Sequence, residues 1–301
     1  MKGGYDMLDG IIQLTGKTGY IVRGNSLLVL YFLSDTEAVM IDSGEFYDPA
    51  FIKFLDAQNI RVSAVINTHI HEDHVANNRA FIEHWGTTIY ASHRDLLTMR
   101  SKTLITLERG YRSEAYIKET LEEADYPITP IHEGCRELEI YGARFEIIDL
   151  PGHTFGHIGI VTPDGVCCLG DALLTKFLVQ NSRMPYFANM ALTIDSMCKI
   201  QTLDYPYFAL AHRKIVKKEA MASLTEANLQ HEMDILDAIH QVIEEPISID
   251  DIGRYVLENM HFYRILNGKY AEPFEHTVKT RVHYLEKLGR IKIMENIVYK
   301  I

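Results

Sequence analysis

Cysteine is scarce in this 301-residue chain: four, against fourteen histidines. Cys135, Cys167, Cys168 and Cys198 form no CxxC pair, so neither a thiolate metal knuckle nor a disulfide framework is suggested. Cys167 and Cys168 sit in an apolar run and read as small buried residues of a reducing compartment. No run of about 18 uncharged apolar residues occurs, which argues against a membrane span. The start, MKGGYDMLDGIIQL, lacks the apolar stretch of a signal peptide, and the expected location is cytoplasmic. Basic charge is short as well. Thirty Lys+Arg against 41 Asp+Glu leave −11, a balance that repels nucleic acid unless a local patch reverses the sign. Repeats and low-complexity tracts are missing. What remains, 47% hydrophobic and 24% charged, is globular composition with length for one large core and a smaller second one.

Apolar periodicity divides the chain. GYIVRG, SLLVLYFL and EAVMID, between residues 19 and 42, read as consecutive strands. PAFIKFLDAQNI suits a short helix with Pro49 in its first turn, and SAVINTH is a buried strand that runs into polar residues. A helical stretch over about 94–126 separates these from a second strand-rich block: RELEIYGARFEIIDLPG, HIGIVTPDGVCCLGD and YFALAH. Two strand blocks with helices between them predict two packed sheets flanked by helices, an α/β arrangement of four layers. From Leu224 onward the pattern is nearly all helical, which predicts a large domain over 1–219 and a small second domain over 220–301.

The densest chemistry lies at Asn67-Thr68-His69-Ile70-His71-Glu72-Asp73-His74. Imidazole and carboxylate are the ligands of Zn²⁺ and similar cations, and His69, His71, Asp73 and His74 place four of them within six residues. At an extended strand end, His69 and His71 lie two apart and point the same way. Asp73 and His74 then fall in the first turn of a following helix, facing a second metal. His153, Asp171 and His212 each occupy the polar end of a buried strand. Alone, each reads as a cap or loop residue; with the cluster they complete seven ligands, enough for two sites that keep a position open for water.

With these residues in hand, the sequence resembles the metallo-β-lactamase superfamily. THIHEDH at 68–74, PGHTFGH at 151–157, Gly170-Asp171, Ala211-His212 and the strand-end Asp42 carry the resemblance, in the family's order, over about residues 10–217. It implies a four-layer αββα sandwich and two divalent metal ions, zinc foremost with manganese or iron as alternatives. On this resemblance His69, His71 and His153 hold one metal, Asp73, His74 and His212 the other, and Asp171 bridges them; Asp42 is a structural acid behind the ligands. The implied function is a metallohydrolase that activates water on two metals and attacks an ester, thioester, lactone or similar small acyl substrate, with Asp73 orienting the nucleophile. A metallo-ribonuclease or phosphodiesterase and a mononuclear iron oxygenase are the alternatives. Substrate signatures for phosphate or glutathione are not found.

Arg109, Tyr111 and Arg112, together with Arg183, Met184, Pro185 and Tyr186, are candidates for contacting a substrate, and a solvated helical face is the plainer reading for the first three. His157 is expected to hydrogen-bond a loop or touch substrate rather than bind metal. In the C-terminal part, Ser248 is a candidate N-cap, FEHTVKTRVHYLEKL over 274–288 has helical spacing with Gly289 as a stop, and IKIMENIVYKI reads as a hairpin turning at Glu295-Asn296. Helices followed by a two-stranded wing resemble the winged-helix module appended to some lactamase-like hydrolases. That resemblance implies nucleic-acid contact through 264–301, with Lys279, Arg281, Lys287, Arg290 and Lys292 facing phosphate. Residues 221–301 sum to −4, nine bases against thirteen acids, which favours a packing role at the active-site rim or in a homodimer.

Overall fold

The computed structural model describes residues 10–110, 117–118, 121, 125–181, 184–260 and 271–301. Seven strands form the first sheet in sequence order: β1 (Ile12–Thr15), β2 (Thr18–Arg23), β3 (Ser26–Phe32), β4 (Glu37–Ile41), β5 (Arg61–Ile66), β6 (Thr88–Ser92) and β7 (Thr129–Ile131). Pairing is antiparallel through β4 and parallel from β4 to β7. The second sheet runs β13-β12-β11-β10-β9-β8, built from β8 (Glu137–Ile140), β9 (Ala143–Asp149), β10 (Ile158–Val161), β11 (Val166–Gly170), β12 (Tyr207–Leu210) and β13 (Lys214–Lys217). Its β11–β12 pair is parallel.

Strand alternation sorts side chains into layers. Val29, Val39 and Ile66 of the first sheet meet Phe145, Ile160 and Cys168 of the second in one buried cluster. On the outer face, Leu28, Leu30 and Met40 pack on Phe51 and Leu55 of α1 (Pro49–Ala57) and Phe81 of α3 (Asn78–Trp85). Cys167 and Leu169 point outward from the second sheet against Met190 and Met197 of α7 (Met190–Gln201). The order is therefore helix, sheet, sheet, helix, and the C-terminal ends of β4, β5, β11 and β12 gather at one edge.

The expected helical block is two helices, α4 (His93–Met99) and α5 (Lys102–Arg109), broken where the Ser101 side chain caps α5 by accepting from Leu104 N. Part of the remaining block, 111–116, 119–120 and 122–124, lies outside the described residues.

The predicted boundary at 219/220 falls in the first turn of α8 (Lys218–Val242), a 25-residue helix. Leu236 and Ile239 of α8 share one cluster with Leu150 and Phe208 on one side and with Val256, Val282 and Leu285 on the other. Beyond α8 come β14 (Ile247–Ser248), α9 (Ile252–Asn259), α10 (Ala271–Lys287), β15 (Ile291–Met294) and β16 (Ile297–Lys300), the strands forming a three-stranded sheet β14-β16-β15. Glu295 and Asn296 both take positive φ, as a two-residue hairpin turn requires. Ser248 is not a helix cap: it lies in β14, paired with Ile297, and Asp251 precedes α9. Among the described residues no helix is long and apolar enough to cross a membrane.

Candidate metal centre

All seven sequence-selected candidate ligands converge at the shared strand edge. The ligand atoms of His69, His71 and His153 lie within 4.8 Å of one another, and so do those of Asp73, His74, Asp171 and His212. Asp171 joins the groups: its Oδ2 is 3.6 Å from His153 Nε2 and 3.6 Å from His74 Nε2, while its Oδ1 is 3.2 Å from His212 Nε2. Asp73 Oδ2 lies 3.8 Å from His74 Nε2, with its side chain 43% exposed at the mouth.

Hydrogen-bond partners fix which nitrogen of each ring faces inward. Asp42, held at φ 58 just past β4, accepts from Thr68 N (2.7 Å) and Thr68 Oγ1 (2.8 Å) and lies 2.9 Å from His74 Nδ1. A carboxylate accepts only, so His74 Nδ1 carries the proton and Nε2 offers its lone pair. The Thr68 hydroxyl, its own proton spent on Asp42, is left to accept from His69 Nδ1 at 3.1 Å, which frees His69 Nε2. His153 Nδ1 donates to Tyr186 O at 3.1 Å, and its Nε2 faces His71 Nδ1 at 2.9 Å. His69 Nε2, His74 Nε2 and Asp171 Oδ1 are buried with no hydrogen-bond partner. Buried lone pairs aimed at one another are costly without a cation between them, so these donors fit a metal pair.

Burial, aided by neighbouring imidazoles, holds His69 well below the usual histidine range, and burial with Arg109 does the same for His71. Burial also opposes a proton on His74, yet Asp42 and Asp171 outweigh it and raise that ring well above the usual range, so in the absence of a cation the negative field draws a second proton to the Nε2 that a metal would take. For Asp171 burial is overcome by His74 and His212, which hold its carboxyl well below normal.

Close packing forces two glycines. A Cβ on Gly170, whose φ is +52, would stand 2.6 Å from His157 Nε2, and one on Gly156 would stand 2.3 Å from Ser92 Oγ. His157 joins neither candidate ligand group; its Nε2 accepts from Asp171 N at 3.1 Å and so orients Asp171.

Several supporting residues escaped sequence reasoning. Asn77 is buried between α2 (Glu72–Val75) and α3, donating to Ser43 O and Phe46 O and accepting from Asp48 N. Asp95 accepts from Gly156 N (2.8 Å) and Thr154 Oγ1 (3.1 Å), and Glu108 accepts from Phe155 N (2.7 Å), so two buried carboxylates cradle the loop after His153. Burial, then Glu108, push Asp95 up to about 8; burial raises Glu108. The spacing Ser92-x-x-Asp95 is legible as a helix cap, and Ser92 does accept from Asp95 N, but nothing in the sequence signals the second role.

Other candidates are placed differently. Arg109 is not a free anion receptor: it is buried, with Nη1 on Glu72 Oε1 at 2.8 Å. Tyr111, Arg112 and Arg183 lie outside the described residues, as do Arg264 and Lys269 of the basic stretch. Met184 is buried, and Tyr186 flanks His71 and His153 with ring centroids 5.6 and 5.7 Å away. Arg281, expected to face phosphate, is instead fully buried: Nη2 donates to Glu232 Oε2 (2.7 Å) and Pro185 O (3.0 Å), and the guanidinium lies 5.3 Å over the Phe187 ring. Glu232 and the Pro185 carbonyl partner the buried guanidinium and offset the cost of taking it out of water.

Residues 20–212 match the family model of the metallo-beta-lactamase superfamily. The chain belongs to that superfamily. Among solved structures, this superfamily member is similar to a metallo-beta-lactamase family protein from Thermus thermophilus, with TM-score 0.67, 18% identity, 92% of this chain and 94% of that one covered. A beta-lactamase domain protein from Burkholderia ambifaria gives TM-score 0.66 at 16% identity over 99% and 97%. Both likenesses concern the fold. Among curated proteins, the hydroxyacylglutathione hydrolase of Vibrio campbellii is 26% identical over 142 residues, 47% of this chain and 44% of that protein. The chain thus spans about half the length of the curated relatives it matches.

Proposed function

We propose that this chain is a dinuclear metallohydrolase that cleaves ester, thioester or lactone bonds of small acyl substrates. The observation that carries the reading is Asp171 Oδ2, 3.6 Å from one histidine of each ligand group, so that a single carboxylate spans both. The relatives named hydroxyacylglutathione hydrolase support the thioester class.

When bound, two divalent cations would lower the pKa of water and polarise the carbonyl under attack. The chain's own residues supply the rest. Asp73, partly exposed at the mouth, turns Oδ2 toward His74 Nε2 and would orient an attacking water with its other carboxylate oxygen. Tyr186 walls the site with its ring, because its hydroxyl donates to Glu108 O at 2.6 Å. Thr68, Asp42 and His157 keep ligand orientations fixed before substrate arrives, which removes reorganisation from the reaction. Zinc is the proposed metal, with manganese or iron as alternatives, because the ligand set of imidazole and carboxylate serves all three.

The C-terminal unit is proposed as a winged-helix-like module that packs on the catalytic part. Support comes from its order, α8-β14-α9-α10-β15-β16, and from the core it shares through α8. Arg290 is engaged with Asp237, and buried Arg281 is committed to Glu232, which leaves fewer cations for phosphate.

The test is metal analysis of the purified protein joined to a panel of ester, lactone, thioester and phosphodiester substrates. Two metals per chain and acyl hydrolysis abolished by Asp171→Ala are expected. Well under one metal per chain, with activity indifferent to Asp171, would refute the reading.

A further inference from the structure

Beside the metal centre a groove of about 1010 Å³ opens with His212 in its wall. Its floor is Val216 of β13, and one side is the helix α6 (Lys176–Asn181), which presents Phe177 and Leu178. The other side is α8, whose groove residues Ala220, Ser223, Leu224 and Ala227 follow i, i+3, i+4, i+7 spacing, so they share one helix face. Three of those four are small, and this leaves the space open. Phe177 is 69% exposed at the lip among the described residues. Among the described residues the charged lining is Lys176, Arg213 and Lys214 against Glu45, a local excess of cations in a chain of net charge −11.

An apolar trough that starts at a metal ligand takes the part of a substrate joined directly to the reacting carbonyl. Cations at its rim favour a substrate that carries negative charge outside the trough. We propose that this groove binds the aliphatic acyl chain of a medium-chain thioester whose leaving group is phosphorylated, with the chain along Val216, Phe177, Leu178 and Leu224 and the anionic part at Lys176, Arg213 and Lys214. The inference deepens the hydrolase reading and rests on it for turnover, whereas binding of the chain depends on the groove alone. Hydrolysis here adds water across the C–S bond: the carbonyl carbon gains the hydroxyl, and the thiol leaves with the proton.

Each fully buried methylene strengthens binding about fourfold, and about twofold at the half burial an open groove gives. Six methylenes therefore separate octanoyl from acetyl substrates by roughly 60-fold. Calorimetry with octyl- and ethyl-coenzyme A thioethers, which differ by the same six methylenes and cannot be hydrolysed, reads the groove without turnover. Tighter binding of the octyl compound by tens of fold is expected, with most of that ratio lost in Ser223→Trp, an exposed helix position whose new ring fills the trough. Lys176→Glu with Lys214→Glu should weaken both thioethers by about tenfold or more, and less at high salt. Equal binding of the two thioethers, or an octyl preference untouched by Ser223→Trp, overturns the groove assignment. Chain-selective binding of the thioether with no cleavage of octanoyl-coenzyme A or of any ester, lactone or thioester in the panel leaves the groove standing and refutes the hydrolase reading instead.

Discussion

Arg281→Met separates stability from metal positioning. Glu232 Oε2 takes both of its charged hydrogen bonds from Arg281, at 2.7 and 3.0 Å, and Oε1 has no hydrogen-bond partner. Removing the guanidinium leaves a buried carboxylate without compensation, which costs about 3–5 kcal/mol. For a chain of this size that lowers the melting temperature by roughly 6–10 °C. Arg281→Met/Glu232→Leu removes both charges and should return to within about 1 kcal/mol of the parent, because an apolar pair of similar volume replaces an ion pair at little net cost. The second consequence travels through the loop that Arg281 holds. Its Nη2 donates to Pro185 O, and the next residue, Tyr186, supplies the carbonyl that orients His153. Loss of a residue that orients a ligand costs 10–100-fold in metal affinity, and one step further away the lower end, about tenfold, is expected. Urea unfolding reads the first effect, and titration of chelator-treated protein with Co²⁺, followed by its visible absorption, reads the second. The double variant should be stable yet bind Co²⁺ about tenfold more weakly. Full stability in the single variant, or parental Co²⁺ affinity in the double one, would refute the clamp.

Asp95, pushed up to about 8, keeps its proton in the native state over a range where the unfolded chain, with carboxyl pKa values near 4, has released it. Native protein therefore binds more protons between about pH 4 and 8, so this group's contribution to stability falls as pH rises through that window. Asp95→Asn should flatten that decline in urea titrations at pH 5, 7 and 8.5; an unchanged slope rules the mechanism out. Gly170→Ala places a methyl where only 2.6 Å separates it from His157 Nε2, at φ +52. A loss of at least about 1–3 kcal/mol is expected, measured by thermal melting, together with weaker metal binding as Asp171 shifts. Removing metal with a chelator should lower the melting temperature, since ligand at a thousandfold above its Kd contributes about 4 kcal/mol. That drop should shrink markedly in Asp171→Ala, and an equal drop in both proteins would count against a shared bridging ligand.

The sheets and the donors were legible because both write themselves in short spacings. The continuous apolar run in SLLVLYF gives a strand buried on both faces, and His69-x-His71-x-Asp73-His74 puts candidate ligands at a strand end and in the next helical turn. Seven donors converge because the strands that carry them end at one edge, a consequence of parallel pairing between β4 and β5 and between β11 and β12. The supporting shell has no such signature. Glu108 meets Phe155 N across 47 residues, and Arg281 meets Pro185 O across 96; each partner is set by packing, and neither sequence neighbourhood announces it. Charge alone misleads in the same way. A run of bases in 264–301 invites a phosphate surface, yet its Arg281 is used internally, where a buried acid and a backbone carbonyl satisfy it.

That internal use also bears on what the C-terminal unit does for the metal centre. If its only contribution were to cover apolar surface, a leucine or methionine at 281 would serve, and the paired acid at 232 would be a liability. A guanidinium instead makes directional bonds to a loop whose neighbouring carbonyl orients a ligand, at the expense of burying two charges. The packing of α10 against α8 and the orientation of His153 are then one structural problem, joined at Arg281.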